Sequence, residues 1–474
     1  MEIPPEARAL HRSFSARAEE LLDLVAADPA RGAPYVLPPE DLPKVGAVSF
    51  GQVHRLPVVV EGAQLAEMRR IATVVPWLLT TVPERVFGNQ PSRVARFYDQ
   101  KDVLFIAQAL RQPTGAERMI CRGDFVQTAA GLKCLEINAT VRLGGWNFAG
   151  FVEPMFYRRP WLRELLERDP AVRFTDPPRV LLEHLAEQAY NALCAAGQGG
   201  PGTEINIAAA VGSEATAAAN RPFEEVLQAL YREVLVAHDP PLAGTIFITT
   251  YPRLRERGGF LYEGERRVHA LLENHGPQMD PTAFRLSKAG RLHLYNGPLW
   301  LMVGDKRTLA VLSEHQESDV YSAEERELIR KYVPWSRVAQ EGQTEYEGER
   351  VVLRDLALGR RERFVFKNAL EAAGQQVYVG RYTEPGVWRE VIEKNFDSRQ
   401  WVLQEWQESV PLWFWGGEEG ELMTHDGVWG LFAFGQRFGG GFLRLQRGTR
   451  TGVLNTRFGS FPALFLEGQE APGS

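Results

Sequence analysis

Apolar positions recur at helical spacing through residues 6–27 and again through 62–79, so both segments are predicted as amphipathic helices. A proline-rich connection around 34–43 separates them. From 96 to 138 the rhythm shortens to strand-like runs such as VLFIAQAL and FVQT. Residues 161–196 return to a helical pattern, broken at Pro170 and at Pro177 and Pro178. The apolar run INIAAAV, ended by Gly212, is followed by the helical FEEVLQALYREVLVA and then by GTIFITTY. Strand, helix and strand at that spacing predict a βαβ unit and a parallel sheet. The stretch 323–332 is helical and stops before Pro334. From Val351 onward the chain is strand-rich and holds most of the aromatic clusters, LWFW and GVWGLFAF among them.

Composition changes this picture only at its edges. A chain of 474 residues is too long for one simple core, so two or three subdomains of α/β character, α+β in parts, are expected. The balance of 44% hydrophobic and 24% charged residues is that of an ordinary globular protein. No apolar run approaches a membrane span, and MEIPPEARALHRSFSARAEE lacks the apolar centre of a secretory signal. Cys121, Cys134 and Cys194 are too few and scattered for a disulfide framework or a zinc site, which points to a reducing cytoplasm. A formal net charge of -6 gives no electrostatic reason to expect a nucleic-acid partner.

The candidate chemistry begins at CRGDFVQTAAGLKCLEINAT. Its halves suit two strands, and Ala129-Ala130-Gly131 suits a three-residue hairpin loop with glycine at the left-handed position. That register sets Arg122 opposite Asn138 and Asp124 opposite Glu136. Side chains alternate along a strand, so these four share one face, while Phe125, Leu135 and Ile137 face a core. Two acids directly opposite each other repel. Either solvent screens the pair or a cation bridges it, and Mg²⁺ suits an Asp, a Glu and an Asn oxygen completed by phosphates. Arg122 adds a fork for a carboxylate or phosphate. On this reading, removing either acid relieves repulsion and leaves the fold intact. The loop sets the register, so lengthening it by one residue destroys activity before the fold. The Arg-Gly-Asp tripeptide lies on a strand, the wrong place to display an adhesion loop.

A second constellation, RERFVFKNALEAAGQQVYVGRYTEPGVWREVIEKNFDSRQWVLQEWQES, reads as strand, loop, strand, helix, strand. Lys367 ends the first strand beside a loop containing Gly374, a position suited to nucleotide phosphates. Taken alone it better fits a lysine snorkelling at the surface. In NGPLWLMVGDKRTLAVLSE, Lys306 stands at a turn leading into a helix. Trp413, Trp415 and Trp429 suit either a substrate cleft or ordinary packing.

In this order the segments resemble the circularly permuted ATP-grasp family, in particular the synthetase domain of glutathionylspermidine synthetases, over roughly residues 95–460. In that family an Arg-x-Asp strand and a Glu-x-Asn strand come first and carry the magnesium site. A lysine before a helix, a strand lysine and a Gln-Glu hinge follow. The resemblance therefore implies Mg²⁺ on Asp124, Glu136 and Asn138, with ATP phosphates on Lys306 and Lys367. It sets the adenine edge at the backbone around Gln404, Glu405 and Trp406, and gives Arg122 the substrate carboxylate or the transferring phosphoryl group. GGGFLRL and GVLN add Arg444 and Asn455. The implied organisation is a permuted ATP-grasp core half with N-terminal helices in 1–165 and a parallel α/β subdomain in 166–305. A lid and hinge occupy 306–407, and returning core strands 408–474. The implied activity is ATP-dependent ligation of a carboxylate to an amine through an acylphosphate, by a cytoplasmic enzyme with small-molecule or peptide substrates. The chain departs from the family where Asn368 and a glycine-poor loop follow Lys367, and no amidase domain precedes the synthetase-like region. A catalytically silent ATP-grasp-like binding protein, and a phosphotransferase with the same nucleotide site, stay open beside the ligase.

Overall fold

Ser15 divides the first amphipathic segment. In the computed structural model it separates α1 (Pro5–Phe14) from α2 (Ala16–Ala27), with its hydroxyl capping the second helix at the Ala18 N–H. The structure describes residues 2–28, 31, 35–36, 39–40, 52–54, 56–110, 119–139, 143–146, 160, 163–164, 172–273, 280–295, 302–371, 374–416, 421–448, 452–454 and 459–468. A short strand, β1 (Val58–Val60), leads into α3 (Gly62–Arg85), which holds Pro76 within it and continues past the expected end at Leu79 through Pro83. Its buried stripe, Leu65, Met68, Ile71, Val75, Leu78 and Val82, outweighs the backbone bonds those prolines cannot make. After α4 (Pro91–Phe97), the run VLFIAQAL forms a helix, α5 (Val103–Ala109), and not the expected strand. The Asp102 carboxylate explains this, because it accepts the Phe105 N–H at 2.8 Å and starts the helix.

The hairpin strands are β2 (Ile120–Thr128) and β3 (Gly131–Asn138). Pro177 and Pro178 open α6 (Pro177–Ala195) where a break was expected, since proline is tolerated in a first turn. The earlier part of that expected helix lies largely outside the described residues. The βαβ expectation holds. β4 (Ile207–Val211), α7 (Glu214–Ala219), α8 (Arg221–Ala237) and β5 (Ile246–Thr250) are joined by β6 (Ala270–Glu273), α9 (Pro281–Lys288) and β7 (His293–Tyr295). The four strands form a parallel sheet in the order β7-β6-β4-β5.

Next come α10 (Lys306–Glu314) and α11 (Ala323–Tyr332), the latter with the expected boundaries and a Ser322–Glu325 capping box. An antiparallel sheet ordered β8-β11-β9-β10 is built from β8 (Ser336–Val338), β9 (Phe364–Asn368), β10 (Val377–Val379) and β11 (Trp401–Glu405). Helices α12 (Leu353–Gly359) and α13 (Pro385–Asn395) pack on it through Leu356, Trp388 and Ile392. The chain then returns as β12 (Leu412–Gly416), β13 (Glu421–Phe434), β14 (Arg437–Gln446) and β15 (Phe461–Gly468). The largest sheet runs β1-β15-β14-β13-β2-β3, with β12 attached to β13.

Two faces of that sheet do different work. One packs Phe125, Ile137, Trp429, Leu431 and Leu443 against α3, a single apolar cluster. On the other, Ile120, Phe432 and Phe442 join α6 and α8. The rest of that second face is polar and lies beneath the sheet of β8–β11. Trp415 and Trp429 are buried, at 1% and 0% exposure, so the packing reading of these two holds. The thiols of Cys121 and Cys134 are buried and that of Cys194 is exposed, all unpaired. Among the described residues, no helix is long and apolar enough to cross a membrane.

Candidate functional site

The hairpin pairs Arg122 with Asn138 and Asp124 with Glu136, the register expected from the sequence. It arrives there by another route. Thr128 pairs with Gly131, so the turn holds only Ala129 and Ala130, and no three-residue loop exists. The extra residue is Leu135. Asp124 faces Glu136, yet the next residue, Phe125, faces Cys134, so Leu135 forms a β-bulge. Burial records the switch: Leu132 and Cys134 enter the core before the bulge, Ile137 and Ala139 after it. Leu135 therefore does not join Phe125 and Ile137 in the core but lines a cleft with Arg122, Asp124, Glu136 and Asn138. Gly123 is more than a spacer. A Cβ there would lie 2.3 Å from the Phe125 ring, which folds across it.

Asp124 does not face Glu136 as a bare charge. Arg122 grips it with two bonds, Nε to Oδ1 at 2.8 Å and Nη2 to Oδ2 at 2.9 Å. Arg444 adds Nη2 to Oδ2 at 2.8 Å, and the Asn138 amide lies 3.5 Å from the same oxygen. Burial works against the Asp124 charge, but the two guanidiniums outweigh it and hold the carboxyl at about 2. Both arginines also lie 5.8 Å from the Phe442 ring. Glu136 meets the Lys306 ammonium at 3.4 Å. The buried Arg-Gly-Asp segment thus presents nothing to an external receptor.

Lys306 begins α10 behind the Asp305 cap and donates to the Glu371 carbonyl at 2.7 Å, tying it to the chain that follows β9. Lys367 is likewise no snorkelling lysine. It is 6% exposed and donates to the Gln404 side chain at 2.7 Å and to the Leu135 carbonyl at 2.8 Å. The bulge that re-aims Leu135 also offers that carbonyl. Gln404 is fixed in turn by Ser336 at 3.1 Å, so its amide serves to position Lys367. The N–H groups of Glu405 and Trp406 are donated to Trp335 and Arg363, both at 2.8 Å. An adenine edge meeting this hinge would find carbonyls and the buried Trp406 indole N–H, which has no partner among the described residues. Beside the hinge, Val126, Val365, Val377, Val379 and Val428 form an apolar slot within a cleft of about 170 Å³. Asn455 lies outside the described residues.

Burial, aided by repulsion from Lys306 and opposed by Glu136, lowers the Lys367 ammonium from 10.5 to about 8. Below about pH 8 the cation is present at the cost of its burial, and that penalty is relieved as pH rises toward 10.5. Were this cation to hold a polyphosphate such as ATP, the sign would be opposite, with affinity falling as pH rises through about 8. Calorimetry across the neutral-to-alkaline range should show this inflection in the wild type and not in Lys367→Arg. A flat wild-type profile would remove Lys367 from the phosphate site.

Three supports were not anticipated. Arg307 is 1% exposed and binds Asp305, Asp99 and the carbonyls of Phe97 and Arg399, anchoring the start of α10 beside Lys306. Its position next to Lys306 was visible, but besides Asp305 its partners come from two distant segments. Ser336 and the Gly144 carbonyl, which accepts from Arg122 Nη1, carried no sequence signal. Among the described residues no group of three His, Cys, Asp or Glu side chains gathers around one point. The donors at hand are two carboxylates and the Asn138 amide, donor types that suit Mg²⁺ sharing its shell with phosphate and water. A metal there would have to displace the arginines from Asp124 and Lys306 from Glu136.

No protein-family model matches the chain, and no curated protein matches its sequence. Solved structures do. A glutathione synthetase-like effector from Globodera pallida, in its apo form, aligns over 99% of this chain and 98% of its own at a TM-score of 0.53 and 12% identity. A protein assigned as a gamma-glutamylcysteine synthetase, from Methylobacillus flagellatus, aligns over 82% of this chain and 88% of its own at 0.38 and 10% identity. The first likeness is one of fold: this α/β chain is built like a glutathione synthetase-like protein.

Proposed function

We propose that the protein is an ATP-dependent carboxylate–amine ligase of permuted ATP-grasp type, forming an amide through an acylphosphate. The observation that carries this reading is the convergence of Arg122, Arg444, Lys306 and Lys367 on Asp124 and Glu136 beside an apolar slot at a hinge. Four cations against two inner carboxylates leave a surplus of positive charge suited to a polyphosphate and a carboxylate together.

In this reading the valine slot takes the adenine, and Lys306 and Lys367 hold the phosphates. Arg122, whose Nε–Nη2 edge is held by Asp124, offers a remaining Nη hydrogen to the substrate carboxylate, whose oxygen attacks the γ-phosphorus while ADP leaves with the bridging oxygen. Arg444 neutralises charge on the transferring group. The amine then attacks the acyl carbon, phosphate departs with the C–O electron pair, and the amine loses a proton. Arg122 stabilises the oxyanion formed in between. The sheet carrying Lys367 covers the cleft, and covering it excludes the water that would hydrolyse an acylphosphate. Asp124, Glu136 and Asn138 would hold Mg²⁺, which when bound offsets phosphate charge. The silent-binder alternative is favoured by one observation, the full engagement of Asp124 by its own arginines.

One experiment separates these readings: phosphate release from Mg-ATP across a panel of carboxylic acids and amines, with mass detection of products. The ligase gives phosphate and an amide only when both substrates are present. A stable phosphorylated product would identify a phosphotransferase. Failure to bind Mg-ATP in calorimetry would leave the silent binder.

A further inference from the structure

A second cavity, of about 140 Å³, lies behind the wall of the cleft, between the parallel sheet and helices α6 and α8. Leu181 and Leu185 of α6, Phe223 and Leu227 of α8, and Ala209 and Leu272 of the sheet line it. Protein interiors pack to crystal density, and a void of this size is close to one that admits benzene in an engineered core. The central strand shows why it exists. Along one face β4 carries Ile207, Ala209 and Val211, and the alanine leaves room where a larger side chain would fill the layer. Ala209 and Leu272 keep partial solvent exposure although helices cover that face.

Its location has meaning in this topology. From β4 the chain steps outward to β5, then crosses back to β6 on the other side. Strand order reverses between β4 and β6, and open α/β sheets bind ligands at the carboxyl ends of strands at such a reversal. Val211, near the carboxyl end of β4, lines the cavity, as does Thr216, which is exposed at its rim.

The cavity shares a wall with the reactive cleft. Leu143 and Trp146 line it, Trp146 with its ring 5.9 Å from that of Phe223. Between them, the Gly144 carbonyl accepts from Arg122. Gly145 has φ 97°, and a Cβ on it would lie 2.5 Å from the Phe442 ring that backs Arg122 and Arg444. One short strip therefore touches the reactive arginine on one side and closes the apolar space on the other.

We infer that this cavity is the side-chain pocket of the carboxylate substrate, which carries a branched aliphatic or aryl group of about the size of benzene. Its carboxylate meets Arg122, and its apolar group passes beside Gly144 into the space over Ala209. The role in catalysis rests on the ligase reading, but the pocket itself does not.

The test uses the full chain, with 3-phenylpropionate and acetate as probes, read by calorimetry and by Trp146 fluorescence without nucleotide. The wild type should bind 3-phenylpropionate at least tenfold more tightly than acetate. Ala209→Leu should weaken phenylpropionate at least tenfold and leave Mg-ATP affinity within twofold, with thermal melting confirming the fold. Trp146→Ala, on the wall and outside the sheet, should shift preference toward a naphthyl acid. Equal binding of the two probes by the wild type, or an unchanged affinity in Ala209→Leu, would overturn the pocket. Selective binding with no condensation for any amine would keep the pocket and overturn the ligase.

Discussion

Replacing Asp124 with alanine is expected to cost about 3–5 kcal/mol of stability, the range for breaking a buried ion pair by removing one partner. Asp124 is 3% exposed between Arg122 at 9% and Arg444 at 8%. Without the carboxylate, two buried guanidiniums lose the counter-charge they share, and only the more distant Glu136 is left to oppose them. This reverses the expectation from sequence that removing either acid relieves repulsion and leaves the fold intact. Glu136→Gln is the contrasting case. That side chain is 27% exposed, and Lys306 keeps the Glu371 carbonyl, so the cost should stay within about 1 kcal/mol. Both variants should lose ATP turnover by about 10²–10³-fold, the usual effect of deleting one electrostatic contact to developing charge. Urea unfolding monitored by tryptophan fluorescence, alongside phosphate release, separates the two. Equal stability of the variants would show that the arginine–aspartate triad contributes nothing to the fold.

Deleting Leu135 should lower activity by way of Lys367, while adding one glycine to the Ala129–Ala130 turn should leave most of it. Without the bulged residue the ladder becomes regular, with Asp124 still opposite Glu136, Arg122 opposite Asn138 and Ile137 on the core face. The polar set therefore stays together, but the carbonyl that holds Lys367 is lost. Turnover should fall more than about 100-fold. A longer turn only enlarges the loop, at a closure cost of about 0.6 kcal/mol per doubling of length. Both variants are to be assayed together for phosphate release. Activity lost on insertion would return control of the register to the turn, and activity kept on deletion would remove the Leu135 carbonyl from the support of Lys367.

The register was legible because Arg122 and Asp124 flank Gly123 as Glu136 and Asn138 flank Ile137, and only one pairing brings the polar set together. The bulge was not legible, since an extra residue looks the same in a turn or in a strand until its neighbours pack. Periodicity alone misread VLFIAQAL, where Asp102 decides the outcome by capping. Lys306 and Lys367 could be found by their place at element ends. What surrounds them could not, because Glu371, Leu135 and Gln404 reach them only through tertiary packing. Arg444 was marked only by resemblance, yet it completes the Asp124 triad.

The order of strands in the largest sheet bears on how this chain folds as it is made. Strand β2 lies between β3 and β13, yet β3 follows it at once while β13 belongs to the final part of the chain. Lys367 and the Leu135 carbonyl, 232 residues apart, are a contact of similarly late closure. During synthesis the hairpin must wait with one edge open, a template for pairing with another chain. Arg122 and Asp124 stand on that strand and can pair with each other before Arg444 exists. Their charges give the waiting edge a polar face that discourages association, so the residues proposed for chemistry would also keep a nascent chain from aggregating.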